Sequence, residues 1–151
     1  MPMCQSRSPI PDALVALPLL VFAPPSLAEG GHDLTFTGAG SFNAPHGGQT
    51  IQVAVYDVTA GEVVASQSGQ VAKEEPQAFA FTFPGVLQEG HLYDIHYWID
   101  SNFGGGSEGV CDPVNIDHQW REALNAITEA VTLHVEHRAE HQAPVCATFA
   151  D

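Results

Sequence analysis

Positive charge is the scarcest property of this sequence. Only 4 residues are Lys or Arg against 18 Asp or Glu, and the formal net charge is −14 with histidines neutral. So acidic a surface repels phosphate backbones and anionic lipid, which argues against nucleic acid as a partner. It attracts cations or a basic protein, and it also keeps a chain soluble in a salty or acidic exterior. Cysteine is scarce too: Cys4, Cys111 and Cys146 form no C-x-x-C pair, so no zinc ribbon is expected. Neither an H-E-x-x-H pair nor a phosphate-binding glycine loop occurs, and no cysteine is left free as a nucleophile. With so little catalytic signal, the expectation is a binding module and not an enzyme.

Long apolar runs are equally rare. The one clear example, Ala13–Ala23, falls in the first 28 residues. It is shorter than the roughly 20 residues that span a bilayer. It follows Arg7 and precedes Ser26-Leu27-Ala28, a small-x-small sequence of the kind signal peptidase accepts. Residues 1–28 therefore read as a secretory signal peptide, and 29–151 as one secreted or periplasmic domain with no further membrane span. The signal carries one base, Arg7, and one acid, Asp12, so its removal leaves the charge unchanged. In an oxidising compartment the two remaining cysteines, Cys111 and Cys146, are expected to form a disulfide.

What is abundant is strand signal. Leu34–Gly38, Thr50–Val58, Glu62–Gln67 and Phe79–Phe83 alternate apolar and polar residues, the period of a half-buried strand. Turn residues separate them at Asn43–Gly48, Thr59–Gly61, Lys73–Pro76 and Pro84-Gly85. His91–Asp100 and Val131–Val135 alternate as well, and Pro144–Phe149 reads as a short strand-like end. Asp117–Ile127 has helical potential with Asp117 as N-cap, but it reads better as a strand with an irregular lead-in, continued by Glu129–His137. Six to eight such strands imply an all-β fold, an antiparallel β-sandwich of immunoglobulin or transthyretin type with one disulfide, ahead of a small closed barrel.

The run Phe79–Asn102 also carries a motif. Phe83, Gly85, Leu87, Gly90, Tyr93 and Ile95, followed by an acidic turn at Asp100, Asn102 and Gly105, resemble small secreted bacterial domains of the transthyretin-like, or prealbumin-like, type. The likeness covers about a quarter of the mature chain. It implies a β-sandwich that serves as an accessory or binding module.

All eight histidines lie beyond the signal. In the His91 strand, alternation puts Tyr93, Ile95, Tyr97 and Ile99 on a dry face and Asp94, His96, Trp98 and Asp100 on the other. In the later strand His134 and Glu136 face outward. Were the two strands neighbours, Asp94, His96, His134 and Glu136 would converge as a site for copper, or for zinc. A mature N-terminus at Glu29-Gly-Gly-His32 offers a weaker copper site at His32. The loop Asp100–Asp112 presents hard oxygen donors at Asp100, Asn102, Glu108 and Asp112, a calcium-type arrangement without the full EF-hand pattern. The sequence thus suggests a binding domain for a transition metal, copper favoured. The alternative is a structural or adhesive envelope domain meeting a protein or glycan through Trp98, Trp120 and Tyr97.

Overall fold

The alternation resolves into seven strands in the computed structural model, which describes residues 30–150. The segment 1–28, expected to be a signal peptide, lies outside the described residues, as do Glu29 and Asp151. Strands β1 (His32–Ala39), β2 (Thr50–Asp57), β3 (Glu62–Gln70), β4 (Gln77–Leu87), β5 (Tyr93–Ile99), β6 (His118–Ala123) and β7 (Val131–Val135) build two sheets. A short helix α1 (Asn43–His46) links β1 to β2, and a second, α2 (Cys146–Phe149), follows β7. One sheet runs β4-β1-β7 and the other β3-β2-β5-β6. Every pairing is antiparallel except β1 with β7, which is parallel.

The sheets close on an apolar interior because each strand turns one face inward. Leu34, Phe36, Phe81 and Phe83 come from the first sheet, and Ile51, Val53, Ile95, Tyr97 and Trp120 from the second. The Phe36 and Tyr97 rings meet across the gap at 5.0 Å. Each large side chain fully buried here contributes about 1.5–3 kcal/mol. The result is an all-β sandwich, with the inward faces of β5 and β7 as the alternation implies.

Three local expectations change. First, β4 does not stop at Pro84-Gly85 but continues to Leu87. β4 is an edge strand, where proline forfeits no ladder bond. Gly85 takes φ +61° in a bulge whose amide donates to Asp33 Oδ1 at 2.7 Å. Second, 117–137 is not one continued strand. β6 and β7 are separated by 124–130 and belong to opposite sheets.

Third, the C-terminal segment is a helical turn and not a strand, and it covers the outer face of β5. Thr148 Oγ1 lies 2.6 Å from His96 Nδ1, and the Phe149 ring 6.2 Å from Trp98. His96 and Trp98 are therefore only 7% and 1% exposed, although their face is the one away from the core. Two ties hold this cover. The Cys111–Cys146 disulfide is formed, with Cα atoms 5.3 Å apart. Buried Gln119 accepts the Val145 amide at 2.7 Å and donates to the Asp112 carbonyl at 2.8 Å.

Candidate metal centre

At one end of the sandwich three chain segments converge: the β1–β2 connection, the start of β6 and the exit from β7. Each brings a histidine. His46 closes α1, a single turn whose Pro45 is tolerated because first-turn amides lack helical partners. Gly48, at φ +83°, then reverses the chain so that Gln49 returns beneath the ring. His118 is the first residue of β6. His137 lies two residues past β7, its amide donating to Ser41 Oγ at 3.0 Å. Phe42 and Trp120 back the group: Phe42 stands 5.4 Å from the His137 ring, and Trp120 5.7 Å from both His118 and His137.

The ring nitrogens face one another. His46 Nε2 is 2.9 Å from His118 Nδ1 and 3.1 Å from His137 Nε2, and the last two are 3.3 Å apart. Tetrahedral ligands at about 2.0 Å from a metal stand roughly 3.3 Å from each other. The triangle is thus close to the spacing that three imidazoles need around one ion, and this group could hold a metal ion.

The surroundings favour the neutral, ligating form. Gln49 Oε1 can only accept, so the proton of His46 belongs on Nδ1, 2.7 Å away, and Nε2 presents its lone pair inward. Burial lowers the pKa of His46 to about 4; the Gln49 hydrogen bond opposes this, and charge on His118 and His137 reinforces it. Burial lowers His118 as well, aided by His137 and opposed by Asp117. It lowers His137 against the pull of Glu140. Three nitrogens turned on one point also cannot satisfy one another, since a single proton serves only one pair. A cation resolves that conflict.

The sequence-derived site does not assemble. β5 pairs with β2 and β6, whereas β7 pairs with β1, so His96 and His134 sit in different sheets. His96 Nε2 lies 3.9 Å from Asp94, under the C-terminal cover. His134 bonds Thr37 Oγ1 at 2.7 Å, and exposed Glu136 stands 3.9 Å from Arg138. His32 is a β1 residue 2.9 Å from Glu89.

Of the calcium-type donors, Asp100, Asn102 and Asp112 lie close together, but the loop itself takes up the two carboxylates. Asp100 accepts from Asn102 Nδ2 and the Gly109 amide, and Asp112 from the Ser107 amide, each at 2.7 Å. Glu108 points to solvent. Among the described residues the only three-donor group is His46, His118 and His137. The same loop spells G-x-S-x-G at Gly105–Gly109. It runs from turn to turn without a strand-to-helix bend, so it is no nucleophile elbow.

The sequence alone does not reveal this cluster, for a plain reason. His46 falls in the turn segment Asn43–Gly48, and no local pattern marks His118 or His137 among the eight histidines as ligands. The usable signal was His46-x-x-Gln49, an imidazole with an acceptor three residues on.

No protein-family model and no curated protein matches the sequence. Among solved structures the chain is similar to a fimbrial assembly protein from Parabacteroides distasonis ATCC 8503. The TM-score is 0.39 at 10% identity, covering 70% of this chain and 51% of that one. The chain thus spans about half the length of that protein.

Proposed function

We propose that this chain is a secreted or periplasmic, non-enzymatic binding domain that holds a transition-metal ion on His46, His118 and His137, with copper favoured over zinc. One observation carries the reading: three imidazole nitrogens from distant parts of the chain, 2.9–3.3 Å apart, with the tautomer of one fixed by Gln49. An all-imidazole set suits copper and zinc, and the divalent affinity order places copper first. The disulfide and the acidic surface fit an oxidising exterior and a cationic ligand. The transthyretin-like run Phe83–Gly105 supports the role of a binding module. The adhesive alternative loses its anchors, since Trp98 and Trp120 are 1% and 2% exposed and Tyr97 is wholly buried.

Titration of the purified protein with Cu(II) and with Zn(II) tests the proposal. The expected result is one ion per chain with a Kd below about 10 µM, weakened roughly 100-fold by His118→Ala with His137→Ala and unchanged by His32→Ala. Equal binding by the double variant would refute it.

A further inference from the structure

We infer that the ion held by His46, His118 and His137 keeps one coordination position open and that a small anion from solution fills it; this rests on the metal reading above. Among the described residues no fourth His, Cys, Asp or Glu donor joins the group. Glu140, which pulls the His137 pKa up, lies outside the donor group, and Asp117, next to His118 in the chain, is already committed. Asp117 Oδ1 accepts the Ser101 and Asn102 amides, and its Oδ2 accepts the Asp112 amide, all at 2.9 Å. Asp100 is held by Asn102 and Gly109, as above. The Ser101 hydroxyl donates to the Ile99 carbonyl at 2.9 Å, and it lies 3.4 Å from His46 Nδ1, the nitrogen turned away from the triangle.

The vacant direction points outward. His46 is buried completely, with Phe42 and Trp120 behind the group, whereas His118 and His137 are half-buried and reach the surface. Phe103 flanks this opening, 4.9 Å from the His118 ring and 5.8 Å from His46, and is itself 41% exposed. An occupant bounded by that ring is small.

Charge decides its sign. Three neutral imidazoles leave the full charge of a divalent ion uncompensated in a partly dry site, and isolated charge there is costly. An anion in the fourth position neutralises part of it, whereas water does not. Halide, hydroxide, azide or a small carboxylate fits this description.

The test uses the full chain loaded with one equivalent of Cu(II), with excess metal removed, and sodium azide as the probe. The expected result is a saturable, one-to-one anion-to-copper charge-transfer absorption with a matching change in the Cu(II) electron paramagnetic resonance spectrum. Spectra unchanged up to about 100 mM azide, well above a millimolar Kd, would overturn the open position while leaving metal binding intact. A response to neutral imidazole but not to azide would overturn the preference for anions. If copper fails to load on the three histidines, both readings fall, and they fall at the loading step and not at the azide step.

Discussion

His46 Nε2 lies 2.9 Å from His118 Nδ1, although 72 residues separate them. That approach depends on the far side of the His46 ring, where Gln49 accepts the Nδ1 proton at 2.7 Å. Replacing Gln49 by Leu is expected to weaken metal binding roughly 10–100-fold, the usual cost of losing an orienting partner. It also strands a buried donor, lowering stability by about 1–3 kcal/mol. Gln49→Glu keeps an acceptor in place and is expected to restore much of the affinity. Competition titration and urea unfolding read the two effects.

Stability should fall on acidification in a defined window. The pKa of His46 is lowered from 6.5 to about 4 on folding, so below 6.5 the unfolded chain takes up a proton that the folded chain refuses. The His46 contribution is fully present above pH 6.5, declines as pH drops, and is gone below about 4. Its size is on the order of 3 kcal/mol. Unfolding free energy measured between pH 7 and pH 4 should fall more steeply in the wild type than in His46→Gln. Parallel slopes would mean that the buried imidazole is not the cause.

Metal affinity should outlast the pH at which ordinary histidines protonate. His118 and His137 are also shifted down by burial, so the ion meets less proton competition at pH 6.5 than it would at free imidazoles. Isothermal titration at pH 7.5 and 6.0 is expected to show a modest loss. Collapse of binding before pH 6.5 would point to exposed histidines instead.

The strand pattern was legible because alternation is local. Tyr93, Ile95, Tyr97 and Ile99 face the core as their spacing implies, and Val131, Leu133 and Val135 face inward in the same way. Pairing is not local. Nothing in the periodicity of His91–Asp100 or Val131–Val135 says that β5 and β7 join opposite sheets, and on that choice the site at His96 and His134 depended. Nor does alternation reveal a cover: the wet face of β5 became dry because the disulfide and Gln119 fold the C-terminal turn over it. The idea of a histidine metal site carries over from the sequence, but the residues change, because His46, His118 and His137 meet only through tertiary structure.

His96 and His134 consequently become controls. His134→Ala should leave metal stoichiometry and affinity unchanged, costing only the hydrogen bond to Thr37, about 1 kcal/mol. His96→Ala should likewise spare the metal while destabilising the packing under Thr148 and Phe149. Loss of metal in either single variant would contradict the placement.

Removing the disulfide with Cys111→Ser and Cys146→Ser is expected to cost roughly 3–4 kcal/mol. It should also loosen the turn over Trp98, seen as a red shift in tryptophan fluorescence under native conditions. An unshifted spectrum would show that Gln119 alone suffices to hold the cover.

X-ray absorption at the metal edge of the loaded protein tests the central claim most directly. The account predicts a first shell with three imidazole nitrogens at about 2.0–2.1 Å and the outer-ring scattering that identifies histidine. A shell built from oxygens alone, or from one imidazole, would contradict it.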